Sequence, residues 1–304
     1  MGNSKGIKLF SPATISMLSY GLKDVSIAIE KPGNEILVKT NSKTGVDIIT
    51  YSKEKEDKNN VKASVQDIAE AFLSEIDSKS GVDIEIFNRI PFQAGLAELE
   101  ANITGVISAL NDILNAHFEN HRLFDFIITK TDELGIDILA SAVAANLFGG
   151  IILYNKNLHH PIQKLYAPHG LNLTLIERRN KIDKTIFEDI SSNELFEQSK
   201  NNAGFIKSLF TTDHDLLSNS LKHNVFDEKI ASNIEWYNDV KQISYDNEVY
   251  STGFSHYGET AFIINPNTLI RDENNKAINE YFKSKNIKAK LIETVISLNG
   301  IFKY

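Results

Sequence analysis

The stretch that decides the fold is Ile90-Pro91-Phe92-Gln93-Ala94-Gly95-Leu96-Ala97-Glu98-Leu99-Glu100-Ala101-Asn102-Ile103-Thr104-Gly105-Val106-Ile107-Ser108-Ala109-Leu110-Asn111. An extended run closes on Arg89-Ile90-Pro91, a short turn holds Gly95, and apolar residues then recur at Leu99, Ile103, Val106, Ile107 and Leu110 with the spacing of one helix face. Strand, tight turn and helix in that order set free helix amides and the positive end of the helix dipole at the turn, an arrangement that suits phosphate. Yet the first helical turn carries two carboxylates, Glu98 and Glu100. At an effective dielectric of about 20, one unit charge at ~5 Å opposes each phosphate charge by roughly 3 kcal/mol.

Working outward, strand patterns fall at residues 7–10, 26–30, 35–40, 46–51 and 82–90, several of them alternating apolar and polar residues. Pro32-Gly33-Asn34 predicts a hairpin turn between the second and third. Helices are expected at 65–76, 98–116, 121–134 and 138–148, the last stopping at Gly149-Gly150, with a strand at 151–154. Residues 155–170 read as a connector. A second block follows: strand 171–177, helices 193–210, 213–223 and 229–244, strand 260–264, helix 272–285 and strand 289–297.

Composition narrows the partners. A formal net charge of −8 argues against nucleic acid and anionic membranes, which need a basic face. The lack of cysteine excludes disulfides and cysteine-ligated zinc. With no run of 18 apolar residues, no transmembrane helix is expected, and Met1-Gly2-Asn3-Ser4-Lys5-Gly6 lacks the apolar core of a signal peptide. A cytoplasmic protein is expected.

The stretch around Gly95 resembles the phosphate loop of the homoserine kinases, members of the GHMP kinase superfamily, where the turn reads roughly P-x-G-S-G-L-G-S-S-A-A. Pro91, Gly95, Leu96, Ala101, Gly105 and Asn111 keep that frame. Phe10-Ser11-Pro12-Ala13-Thr14 resembles the opening F-x-P-A-[ST], followed by Gly21. Asn146-Leu147-Phe148-Gly149-Gly150, Asn201-Asn202-Ala203-Gly204-Phe205-Ile206 and Asp213-His214-Asp215-Leu216-Leu217 resemble later segments in order and spacing. Gly253-Phe254-Ser255-His256-Tyr257-Gly258-Glu259-Thr260-Ala261-Phe262 resembles the closing motif G-x-S-G-S-G-P-[ST]-x-F.

The resemblance implies an α+β GHMP kinase fold in two domains. Residues 1–160 would form an S5 domain 2-like unit and 168–304 a ferredoxin-like αβ sandwich. It also shows where chemistry is missing. The family's substrate-holding Asn and Asp fall on Met17 and Lys23, and its S-S-A-A falls on Glu98-Leu99-Glu100-Ala101. Its His-x-Asp-Asn falls on Leu139-Ala140-Ser141-Ala142, and a later arginine on Ile230 beside Lys229. The central Gly-Ser-Gly-Pro of the closing motif becomes His256-Tyr257-Gly258-Glu259. Glu133 lies about two residues from the place of the magnesium-binding glutamate and reads as a surface helix residue.

The implied phosphate turn is therefore Gly95, Ala97, Glu98, Leu99 and Glu100, and the implied substrate cleft holds Met17, Lys23, Leu139, Ala142, Lys229 and His256. The expectation is a homoserine-kinase-like pseudoenzyme with eroded ATP, magnesium and substrate motifs, with no cofactor and no metal site assigned. One alternative is a divergent ATP-dependent small-molecule kinase using Mg-ATP, with Glu98, Glu100 or Glu133 on the metal. Another is an interaction subunit, as a homodimer or paired with an active homologue, since the family generally forms dimers.

Other patterns carry less. His159-His160-Pro161 with His169 reads as a solvated connector, because adjacent histidines point apart in extended chain. Asp213 and Asp215 open a helix and read as caps. Arg178-Arg179 with Lys181 and Lys184 is a basic surface patch, and Phe187, Phe196, Phe205 and Phe210 are expected in the core.

Overall fold

The computed structural model describes residues 6–17, 21–52, 58–178, 185, 189–256 and 260–304. Two long antiparallel strands, β1 (Gly6–Met17) and β2 (Leu22–Asn41), form the spine of the first sheet. On the other side of β2, β4 (Gly81–Asn88) pairs with one half and β5 (Ile151–Tyr154) with the other. β3 (Val46–Ser52) runs parallel to β4, β6 (Ile162–Leu165) pairs with β5, and β11 (Phe302–Lys303) with β1.

Pro32-Gly33-Asn34 is not the expected hairpin turn; it lies inside β2. The register jumps from Pro12↔Gly33 to Ala13↔Ile29, leaving residues 30–32 without partners in β1. Pro12 has no N–H to give the ladder, so the break falls beside it. The expected connector 155–170 is likewise partly strand, since β6 lies within it. His159 and His160 are exposed in the turn before β6.

Helices α1 (Lys58–Glu75), α2 (Glu98–Ile113), α3 (Asn120–Glu133) and α4 (Ala140–Phe148) pack with this sheet. Ile36, Val38, Ile84 and Ile86 meet Phe72, Ile103, Val106, Leu110, Ile127 and Val143 in its core.

The second sheet holds β7 (Asn172–Glu177), β8 (Ser251–Ser255), β9 (Thr260–Asn265) and β10 (Lys290–Val295) in the order β10-β7-β9-β8. That fourth-first-third-second antiparallel order is the expected ferredoxin-like arrangement. Strand alternation divides its side chains between two cores. Ile176, Ala261 and Ile263 pack with Tyr237, Val240, Ile278 and Phe282 of α8 (Tyr237–Asp246) and α9 (Thr268–Ser284). Leu173, Leu175, Phe262 and Ile264 share a layer with Phe205 and Leu209 of α5 (Ser192–Thr211), Leu217 and Leu221 of α6 (His214–Lys222), and Ala13, Ile15 and Ile27 of the first sheet. Ile90, Ala94 and Leu96 of the decisive turn are buried in that same layer. After β10 the chain returns to the first sheet: Ser297 donates its N–H to the Ala28 carbonyl at 2.8 Å, and β11 completes the edge.

Two further expectations change. The helix expected at 229–244 is two, α7 (Val225–Ala231) and α8. The Asn233 side-chain amide and the Ser232 hydroxyl both donate to the Lys229 carbonyl, at 3.1 and 2.7 Å, competing with the backbone for the helix acceptor. Phe196 and Phe210 are not core residues, being 66% and 64% exposed on α5, whereas Phe205 is buried. Phe187 lies outside the described residues. The capping reading of Asp213 agrees with its carboxylate accepting the Leu216 N–H. Among the described residues no helix is long and apolar enough to cross a membrane.

Candidate functional site at the turn before α2

The turn takes its shape from its anchors. The Asn34 side-chain carbonyl accepts the N–H groups of Arg89 and Ile90 at 2.8 and 3.0 Å, and its amide donates to Asn102 on α2 at 2.7 Å. Three successive carbonyls of the turn are then taken up. The Thr260 hydroxyl donates to Ala94 at 2.5 Å, the Ser255 hydroxyl to Gly95 at 2.6 Å, and the Thr14 N–H to Leu96 at 3.2 Å. Both sheets thus hold one short loop.

Within it, Gln93, Gly95 and Ala97 have φ of 54°, 70° and 56°. These are the positions on which the three glycines of the P-x-G-S-G-L-G pattern fall. The backbone keeps a left-handed conformation at all three, although two of them carry side chains that disfavour it by roughly 1–2 kcal/mol each. Ala97 also provides no side-chain cap for α2.

Beside the turn lies a cleft of about 560 Å³. It gathers Lys23, Gly95, Ala97, Glu98, Leu99, Glu100, Leu139 and His256 of the expected site residues, together with Thr14, Ser16 and Asp137. Met17 and Ala142 do not line it; both are fully buried. Lys229 stands elsewhere, its ammonium donating to the Asp189 carbonyl at 3.2 Å. Glu133 is exposed at the end of α3 and paired with Lys130 at 2.8 Å. Residues 257–259 of the closing motif lie outside the described residues.

Glu100 dominates the electrostatics. Its Oε1 accepts the Leu139 N–H at 2.9 Å, tying the first turn of α2 to the start of α4. Loss of solvation raises its pKa from the ordinary 4.5; the Leu139 amide pulls it down, and nearby Asp137 adds to the rise. Among the described residues no three His, Asp or Glu side chains converge to hold a metal ion.

Sequence reasoning missed several contributors. Thr14 and Ser16 sit two apart on β1, so both project from the same face of an otherwise apolar strand. Two buried hydroxyls at period two were the available signal. Ser255 and Thr260 stood in the closing motif, but nothing local shows that their partners lie some 160 residues earlier. Asp137 follows Gly135 in a loop and carried no signal.

No family model matches the chain. It is 24% identical to homoserine kinase of Methanococcus maripaludis over 254 residues, covering 78% of this chain and 81% of that protein. The crystal structure of homoserine kinase from Cytophaga hutchinsonii superposes with a TM-score of 0.87 at 22% identity, covering 100% of this chain and 99% of that one. The structure of L. major mevalonate kinase gives a TM-score of 0.76 at 11% identity over 97% of both chains. The fold is that of the GHMP kinases, as expected. Within that fold the chain is similar to homoserine kinases at low identity, 24% and 22% for the two above.

Proposed function

We propose that this is a homoserine-kinase-like protein whose cleft no longer performs phosphate transfer. The observation that carries the reading is the pair of carboxylates on the first turn of α2, both lining the cleft. A phosphate bound at a helix N-terminus relies on free amides and the dipole's positive end. Glu98 and Glu100 oppose it there by about 3 kcal/mol per charge pair at ~5 Å, more than a hundredfold in affinity. Nor does the donor set suit magnesium, since among the described residues no three acids or histidines converge beside the turn. The described residues therefore do not fit Mg-ATP. Lys23 points to the same conclusion for an amino-acid substrate, because an ammonium group beside it is repelled.

A second reading, a divergent kinase, rests on the conformation of the turn. Left-handed backbone at Gln93, Gly95 and Ala97 is the geometry of an anion-binding concavity. The two readings separate in one assay, phosphorus NMR of the purified protein with ATP, magnesium and homoserine. The non-catalytic reading expects no phosphohomoserine above a protein-free control. Turnover at an ordinary enzyme rate overturns it.

A further inference from the structure

We infer that the face of the first sheet turned away from its helices docks a second copy of this chain, with a two-fold axis along β2. The inference does not depend on what the cleft binds.

Strand alternation makes that face. Ile36, Val38, Ile84 and Ile86 turn toward the helices, so their neighbours in each strand turn away. Pairing sets the outward residues in rows across β11-β1-β2-β4-β3, with β2 in the middle. One row reads Phe302, Phe10, Glu35, Phe87, Tyr51. The next reads Lys8, Leu37, Glu85, Ile49, and Tyr304, just past β11, extends it by donating its N–H to the Lys8 carbonyl. Phe10 stacks on Phe302 at 5.0 Å and Tyr51 on Phe87 at 4.8 Å, while Phe302, Tyr304, Ile49 and Tyr51 are all exposed. Apolar side chains gathered on one open face mark a surface for a partner.

The rows identify the partner, because each is complementary to itself about its central residue. A two-fold axis along β2 lays every row on the same row of the second copy with its order reversed. In the first row Phe10 then meets Phe87 of the second copy, and Phe302 meets its Tyr51, aromatic on aromatic. In the second row Lys8 meets Glu85, joining opposite charges, and Tyr304 meets Ile49. Only the central residues meet themselves. Leu37 is apolar, and each Glu35 already holds Lys8 and Arg89 at 3.0 Å. Packed sheets lie about 10 Å apart and turned by about 30°, so the contacts nearest β2, Phe10 with Phe87 and Lys8 with Glu85, fit best. Net charge favours the same partner. The chain carries −8 and repels its own copies in general, whereas Glu35 and Glu85 of these rows are matched by Lys8, Arg89 and Lys39.

The test is sedimentation equilibrium of the full chain at concentrations up to about 200 micromolar, where a dimer of modest affinity is populated. The chain should form a reversible dimer. Ile49→Lys should weaken it at least tenfold with its circular dichroism unchanged, whereas Phe196→Lys, at an exposed site on α5, leaves it intact. Lys8→Glu and Glu85→Lys decide the register. Each alone sets like charges against each other at both two-fold contacts and should dissociate the dimer. Mixed in equal amounts, the two variants set opposite charges at both contacts and should associate again. A wild-type monomer at the highest concentration overturns the inference. So does a dimer indifferent to Ile49→Lys, or a mixture no more associated than its two components.

Discussion

The Ser255 hydroxyl lies 2.6 Å from the Gly95 carbonyl and donates to it across 160 residues of chain, while accepting the Ser16 N–H at 3.1 Å. One side chain of the second sheet thus joins β1 of the first sheet to the turn that begins α2. Ser255→Ala leaves a buried N–H and a carbonyl without partners. At about 1–3 kcal/mol for each such group, the variant should lose roughly 2–4 kcal/mol. Urea denaturation checks this through a lower midpoint at unchanged slope.

The turn itself yields a prediction of opposite sign. Gln93 and Ala97 hold left-handed φ that a glycine adopts without strain. Relief of about 1–2 kcal/mol is partly offset by the greater freedom of glycine in the unfolded chain, near 0.4–1 kcal/mol. Gln93→Gly and Ala97→Gly should therefore each stabilise by about 0.5–1 kcal/mol, visible as a raised melting temperature. Destabilisation by either would show that the side chain packs well enough to outweigh its strain.

Gly149 behaves in the reverse manner. Its φ is 67° with ψ 175°, and a Cβ there would run into the backbone of Leu298 and Gly300. Backbone on both sides cannot move aside as a side chain end can. Gly149→Ala should cost about 2–3 kcal/mol and loosen the return of residues 297–303 to the first sheet. Hydrogen exchange at the Ser297 and Ile301 amides, which donate to Ala28 and Asn146, reads that loosening directly.

How much of this was legible beforehand differs by element. The strand, turn and α2 were readable because Pro91, Gly95 and the helical period of Leu99 to Leu110 are local signals. The order of the second sheet was available only through the family resemblance, because pairing partners are set by packing between distant segments. β8 escaped notice since Ser251-Thr252-Gly253-Phe254-Ser255 is short and rich in hydroxyls, with every residue buried in a sheet that only the fold supplies. Phe196 and Phe210 misled for the opposite reason: their apolarity suggests a core, and only the fold shows that their side of α5 faces out. The cleft's carboxylates were visible as residues, but the link from Glu100 to Leu139 depends on how α2 and α4 meet.

In the second unit, Asp227 is buried and accepts from Lys241 at 2.7 Å and from the Tyr237 hydroxyl at 2.6 Å, which also lies 2.9 Å from Thr252. Removing one member strands the other charge in a poorly solvated site. Asp227→Ala should cost about 3–5 kcal/mol, far more than loss of an exposed pair such as Lys200 with Glu197. Thermal unfolding of the two variants side by side distinguishes them.

Two glutamates should shift stability with pH in opposite directions. The folded-state pKa of Glu100 is raised above 4.5 by desolvation, so its contribution is present below 4.5 and is lost as pH rises through the raised value. That of Glu35 is lowered, chiefly by the hydrogen bond from Lys8, against desolvation and with help from Arg89. Its contribution is present above 4.5 and is lost as pH falls through the lowered value. Relative to Glu100→Gln, wild type should lose stability as pH rises above 4.5; relative to Glu35→Gln it should lose stability as pH falls below 4.5.

The most direct test of the central claim is calorimetric titration with Mg-ATP of wild type and of a variant carrying Glu98→Ser, Leu99→Ser and Glu100→Ala. If the carboxylates exclude phosphate from a turn whose backbone is otherwise intact, wild type gives no binding heat and the triple variant gains it. Micromolar binding by wild type, weakened in the variant, would contradict the account, because the carboxylates would then be holding the nucleotide rather than repelling it.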